Sequence, residues 1–358
     1  MKKKYFLPVF LLVQIFLMKV FALFPEFVER YYSNGLYLYL SKISRIILGW
    51  IPFSVGDLCY TILFFFIFRW IYTNRIAFFK NWKTNGLTIL SFVSVLYFLF
   101  HFLWGINYYR VPLHEKIGIE KEYTKEQLIA LTEKLIVKTN ELQFQIEKDS
   151  TKKVVFNYSE QEMYEISLSG YDYLEKPLKD KIHYSYESIK SSLYSLPLSY
   201  MGFGGYLNPF TNEAQVNYLK PKYTSPLTIC HEMAHQTGIG SESDCNFIGF
   251  MAASSNKDVY FQYSAYAFAL NYSLYNLEVM EEGSSKSYRK FINKGVLENF
   301  KENKTFWKQY HSWIDTFFEY FYDKFLKFNH QKDGMESYSK FVGLLINYDL
   351  KHDVIHAN

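Results

Sequence analysis

Apolar positions crowd the front of the chain and then give way to helix-like periodicity. Tyr5 to Phe24 runs for about twenty residues, interrupted strongly only by Gln14 and Lys19, and follows Lys2, Lys3 and Lys4. Ile51 to Tyr72 and Gly86 to Trp104 are two more such runs, carrying Leu63-Phe-Phe-Phe-Ile-Phe68 and Phe92-Val-Ser-Val-Leu-Tyr-Phe-Leu-Phe100. Each is long enough to cross the ~30 Å hydrocarbon layer of a bilayer as a helix. Three of them so close together weigh against buried core helices. The first fits a signal peptide or an anchor; its length, and the lack of a small-x-small cleavage pattern before Pro25, point to an uncleaved anchor. Leu36 to Trp50 is amphipathic, with Lys42 and Arg45, and is expected at the interface or packed on the spans.

Behind the spans the pattern becomes that of soluble helices. Thr124-Lys-Glu-Gln127 reads as a capping box opening a helix through Leu128, Leu131 and Leu135 to about Gln145, and Ser159-Glu-Gln-Glu162 opens a shorter one. Asp258 to Glu282 and Asn303 to Phe328 are also helical; the stripe Phe306, Trp307, Tyr310, Trp313, Phe317 and Phe321 is expected in the core. Met201-Gly-Phe-Gly-Gly-Tyr206 and the Asn208-Pro step read as a turn-rich hairpin, with Ala214 to Leu219 as a short strand. The fold class expected is mainly α with a small β-sheet (α+β). A membrane domain over 1–105 would hold three transmembrane helices, at about 5–24, 51–72 and 86–104, and an extracytoplasmic domain would follow over 106–358.

Charge adds an orientation. Lys2 to Lys4 flank the first span, and Arg69, Arg75, Lys80 and Lys83 cluster between the second and third. By the positive-inside rule the amino terminus and the 73–85 loop face the cytoplasm, leaving the chain after about residue 106 outside the cytoplasmic membrane, which is the periplasm if the cell is bacterial. The net charge of +4 is small and dispersed, so no nucleic-acid partner is expected; the lipid bilayer is one. The three cysteines, Cys59, Cys230 and Cys245, have no framework spacing and read as buried thiols rather than a bridge.

Chemistry concentrates between Ser225 and Asn246. His231 and His235, four apart in His-Glu-Met-Ala-His, leave one helix face a turn apart and can converge on one metal ion, with Glu232 beside them. Ser225 is placed as N-cap, Pro226 at the first helical position and Gly238 at a left-handed C-terminus. Leu227, Ile229, Cys230, Met233 and Ala234 share one arc, opposite the arc of Thr228, His231, Glu232 and His235. The alternative is a capped helix that merely carries two histidines. Zinc needs a third protein ligand and an open position. Glu242 is favoured, Asp244 is the runner-up, and Asn246, four after Glu242, can support a ligand histidine. Tyr263 and Tyr266 are candidates to donate to a developing oxyanion, set against ordinary buried tyrosines. Gly205, Tyr206, Ala214, Gln215, Val216 and Asn217 are expected to offer a backbone edge to an extended peptide, with a purely structural hairpin as the alternative.

Four stretches together carry a resemblance: His231-Glu-Met-Ala-His-Gln, Glu242-x-Asp244 before Cys-Asn-Phe247, Gly204-Gly-Tyr-Leu-Asn-Pro-Phe-Thr-x-Glu-Ala-Gln-Val-Asn217, and Gln331-Lys-Asp-Gly-x-x-Ser-Tyr338. With the front spans, they resemble the bacterial membrane family catalogued as domain of unknown function 3810, which is similar to the zincin metallopeptidases. The Glu242-x-x-x-Asn246 pair resembles the Glu-x-x-x-Asp of glutamate-type zincins, with Asn in place of Asp. The seven-residue step from His235 to Glu242 is nearer metzincin spacing, where Ser241 would be the third ligand; serine is a poor one. The resemblance implies one zinc ion on His231, His235 and Glu242, with Glu232 as general base for cleaving a peptide or protein substrate in the envelope. A non-catalytic binding or scaffold protein of the same fold is the rival reading.

Overall fold

The computed structural model describes residues 3–182 and 184–355. Lys2 of the basic cluster, His183 and His356 lie outside the described residues. The chain opens with α1 (Lys3–Phe21), α2 (Tyr37–Leu48), α3 (Val55–Asn74) and α4 (Trp82–Leu103). Of these, α1, α3 and α4 are long and apolar enough to cross a membrane. Their outward side chains are bare: Phe6, Phe65 and Phe68 are all more than 60% exposed. Water would not tolerate so much contiguous hydrocarbon, which is what a lipid layer covers. α1 packs on α4, where Gln14 Nε2 donates to Ser94 Oγ at 3.0 Å and so pairs two polar groups that lipid could not solvate.

The second span starts four residues later than the apolar run suggests. Ser54 caps α3 by accepting from the Asp57 amide at 2.9 Å, and the carboxylate of Asp57 then takes donors from Ser192, Leu193 and Tyr206. Asp57, an ionisable group at a span end, thus fastens α3 to the rest of the molecule. α2 does the same at another point: Tyr37 OH donates to the Gln236 carbonyl at 3.0 Å.

The remaining elements are α5 (Lys125–Glu147), α6 (Glu160–Asp172), β1 (Ile189–Ser191), β2 (Gly205–Leu207), β3 (Ala214–Val216), α7 (Ser225–Gln236), α8 (Glu242–Ser254), α9 (Val259–Met280), α10 (Lys294–Tyr310), α11 (Trp313–Phe328) and α12 (Ser337–His352). The structure is mainly helical with a small three-stranded sheet. Both capping boxes form, at Thr124 with Gln127 and at Ser159 with Glu162. The core lies where α7 and α8 run side by side, enclosed by α6, α9 and α12. Ile229, Cys230, Met233, Phe247, Ile248 and Ala252 are fully buried there. At ~1.5–3 kcal/mol for each large apolar side chain removed from water, this pairing dominates the local energetics.

Strand order is β1-β3-β2, with β3 parallel to β1 and antiparallel to β2 in the register Gly205↔Val216, Tyr206↔Gln215 and Leu207↔Ala214. Two expectations are corrected. β3 is the buried central strand, so Ala214, Gln215 and Val216 spend both edges within the sheet, and Asn217 N donates to Gly204 O; they offer no edge to a peptide. The aromatic stripe is not core along its length either. Trp313, Phe317 and Phe321 on α11 are 77%, 54% and 55% exposed, because periodicity defines an apolar face without saying what covers it.

Candidate metal centre

α7 begins one residue earlier than its letters suggest. The short turn Lys222–Thr224 already brings Ser225 into helical torsion angles, so Thr224 is the N-cap and Pro226 the second helical residue. The two arcs fall as their spacing requires: Leu227, Ile229, Cys230, Met233 and Ala234 enter the core, while His231, Glu232 and His235 line a cavity of about 580 Å³. Gly238 ends this segment at φ +83°, where a Cβ would also lie 2.8 Å from the Tyr37 ring. Only glycine meets both demands, and the reversal it allows returns α8 beside α7.

Hydrogen bonds fix both imidazoles. His231 Nδ1 lies 2.7 Å from Asn246 Oδ1, and His235 Nδ1 lies 2.8 Å from the Ile239 carbonyl. These partners are acceptors, so each Nδ1 carries the hydrogen and each Nε2 presents a lone pair to the cavity. Trp104 Nε1 donates to the His235 carbonyl at 3.1 Å, holding the end of α4 against the centre. Cys245 Sγ lies 3.2 Å from His235 Nδ1; burial pushes its thiol up to about 12, so it packs there as a neutral group.

The third donor comes from the start of α8. Glu242 Oε2 stands 3.2 Å from His231 Nε2 and 3.5 Å from His235 Nε2, and Oε1 accepts from Tyr322 OH at 2.8 Å. Oε2 is buried with no hydrogen-bond partner among the described residues, as is Oε2 of Glu232. Carboxylate and imidazole lone pairs pressed together away from water repel unless a cation or a proton joins them. Burial alone would raise the Glu242 carboxyl; protons on the two imidazoles, taking the place of such a cation, outweigh burial and hold the group below the usual carboxylate range. For Glu232 burial prevails and the carboxyl rises above its ordinary value, against the pull of His231 and His235. The donor atoms of His231, Glu232 and His235 lie within 4.8 Å of one another, a buried group that could hold a metal ion. Glu242, from the opposing helix, stands within 3.5 Å of both imidazoles and could serve as a further donor, with Glu232 beside it.

Asp244, the runner-up, turns away; its Oδ2 accepts from the Leu113 amide at 3.4 Å. The two tyrosines are also placed elsewhere. Tyr263 OH donates to Asn299 Oδ1 at 2.8 Å, and Tyr266 packs edge-on against Phe250, neither lining the cavity, because the inner face of α9 is directed into the core. The tyrosine that does reach the centre is Tyr322 of α11, and Tyr108 lines the cavity next to Gly240. Lys220 was equally hidden. Only 4% exposed, it donates to Thr224 Oγ1 at 3.0 Å and Thr228 Oγ1 at 2.9 Å, and burial lowers it to about 7 although the Glu232 charge opposes this.

Of the expected substrate edge, β2 remains. Asn217 N donates to Gly204 O and Asn208 N to Glu213 O, so residues 204, 206 and 208 direct their backbone groups to β3. By alternation, the N–H and C=O of Gly205 and Leu207 point outward. Gly205 also lies against the base: a Cβ there would sit 2.8 Å from Glu232 Oε1 and 2.7 Å from the Gln215 carbonyl.

Comparison with curated proteins and with solved structures gives no match. The model of one family, described as a protein of unknown function (DUF3810), matches residues 32–346, which take in α3, α4, the sheet and the His231–Glu242 cluster, and the chain belongs to that family.

Proposed function

We propose that the protein is a membrane-anchored zinc metallopeptidase of the zincin type, hydrolysing peptide or protein substrates on the outer side of a bacterial inner membrane. The observation that carries this reading is the convergence of two imidazole Nε2 atoms and Glu242 Oε2 beside a second carboxylate, Glu232, whose Oε2 is buried and unpartnered. The Nε2 to Oε2 separations of 3.2 and 3.5 Å are short enough for one ion to be shared by the three donors. His231, His235 and Glu242 would hold the ion, with Asn246 and Ile239 fixing the imidazoles and Tyr322 the carboxylate. Zinc bound there supplies a Lewis acid for the scissile carbonyl and acidifies water.

The chain's own residues account for the rest. Glu232, made more basic by burial, accepts a proton from the attacking water and returns it to the leaving nitrogen. The outward N–H and C=O of Gly205 and Leu207 pair with an extended substrate as an added strand, holding its backbone next to Glu232. Orientation is supported by where the spans end. α3 starts and α4 finishes beside the centre, so Arg75 and Lys80 in the connecting loop lie about 30 Å away, one hydrocarbon thickness. Glu232→Gln in the full-length protein should keep its zinc and lose hydrolysis of a peptide library; unchanged turnover would remove this mechanism.

A further inference from the structure

The space around the centre has two unlike halves that meet at His231, Glu232 and Gly205. One half, of about 550 Å³, is the more polar and includes Lys220, Thr228 and Asn271. The other, of about 580 Å³, is walled by aromatic rings, among them Tyr60 and Phe64 of α3, Phe100 of α4, and Phe318 and Phe321 of α11. Phe64 stands nine residues into α3, so this wall reaches a depth of about 14 Å from the start of a helix apolar enough to cross a membrane. A soluble peptide has no use for a wall at that depth.

The same groove is open at its side. Phe64 and Phe321 are 50% and 55% exposed, one on each bank. α11 lies against the end of a span through Phe325 and Phe100, with ring centroids 6.0 Å apart, and its bare Trp313, Phe317 and Tyr320 continue the apolar surface of the membrane helices. An aromatic-rich amphipathic helix in that position rests in the headgroup region. The gap between α3 and α11 therefore connects the centre to the hydrocarbon layer.

We infer that the cleft takes a lipid-modified polypeptide, whose acyl chain lies in the apolar half between α3 and α11 while the peptide passes the free edge of β2 toward Lys220. The inference rests on the peptidase reading and names its substrate class. The unlike halves decide the occupant: an aromatic wall reaching the depth of a span suits a flexible hydrocarbon chain, and the more polar half beyond Glu232 suits the peptide that carries it. On the polar side, Lys220 has two of its three ammonium hydrogens engaged by Thr224 and Thr228, leaving one for a carbonyl or carboxylate of the peptide.

Photolabelling tests this without requiring hydrolysis. Full-length Glu232→Gln protein in phosphatidylethanolamine and phosphatidylglycerol vesicles is irradiated with a palmitoylated peptide carrying a diazirine in its acyl chain, and the labelled residues are mapped by mass spectrometry. Labelling should concentrate on the facing banks of α3 and α11 and be displaced by excess unlabelled palmitoyl peptide. It should fall about tenfold in Phe64→Ser and in Phe321→Ser, each replacing an exposed ring, and stay unchanged in Phe68→Ser, which lies outside the groove. Label spread evenly around α1, α3 and α4 would overturn the inference. So would a diazirine phospholipid that fills the groove and is not displaced, or a peptide with a twenty-residue apolar helix that displaces the probe as well as the palmitoyl peptide does. Because the readout is occupancy in a hydrolysis-dead variant, failure of the peptidase reading leaves the labelling result interpretable by itself.

Discussion

Replacing Tyr322 by Phe removes one atom from the outside of the centre. Its hydroxyl donates at 2.8 Å to Glu242, a carboxylate only 2% exposed, while its ring packs on Phe203 and Phe325 in contacts that Phe retains. A hydrogen bond to a charged group contributes ~1.5–3 kcal/mol. At ~1.4 kcal/mol per decade this corresponds to roughly 10- to 150-fold in affinity. Groups that orient a metal ligand from behind are typically worth ~10–100-fold in metal binding, so the two routes agree. The assay is zinc affinity of the full-length protein in detergent, by competition with a chromophoric chelator at fixed pH. Tyr263→Phe is the control: it removes a fully buried hydroxyl, bonded to Asn299, and should cost stability without touching zinc. A Tyr322→Phe protein within twofold of wild type, or a Tyr263→Phe protein weakened as much, would refute the reasoning.

Two further outcomes follow from the geometry. Burial raises the Glu29 carboxyl, but Arg110 and Lys116 outweigh it and hold the group at about 2, below the unperturbed 4.5. A carboxyl depressed on folding stabilises fully above pH about 4.5 and loses that contribution as the pH falls toward 2, on the order of 3 kcal/mol in all. Thermal midpoints of wild type should therefore drop between pH 5 and 3, and those of Glu29→Gln should begin lower and change less. Arg110 also donates to the Gly238 carbonyl at 2.9 Å, so this loss loosens the end of α7. Gly205→Ala places a methyl against both Glu232 and the Gln215 carbonyl. Peptide turnover should fall on the order of 100-fold while zinc stoichiometry stays at the wild-type value, since the ligands are untouched.

How much of this was readable in advance depended on the range of the interactions. Capping boxes, the Gly238 turn and the two arcs of α7 are local, and the letters specify them. The approach of Glu242 and Asn246 to the two imidazoles was readable too, because α7 and α8 are joined by a tight turn. Tyr322 reaches Glu242 across 80 residues, and nothing in an aromatic stripe distinguishes the one hydroxyl aimed at a carboxylate. Tyr263 and Tyr266 are nearer in sequence, yet α9 directs them into the core. The sheet failed for a related reason: β1 comes from a segment with no strand signal, and its pairing makes β3 central and leaves β2 as the edge strand beside Glu232. Exposure of α11 was hidden because an apolar stripe looks the same whether protein or lipid covers it.

The account stands on a cation joining three donors that would otherwise repel one another. Metal analysis of the purified full-length protein, beside His235→Ala and Glu242→Ala, tests that most directly. The account predicts about one zinc per chain in wild type and a loss of at least most of it in both variants. A wild-type protein with no bound zinc after zinc-supplemented purification, or variants that hold it as well as wild type, would contradict the account.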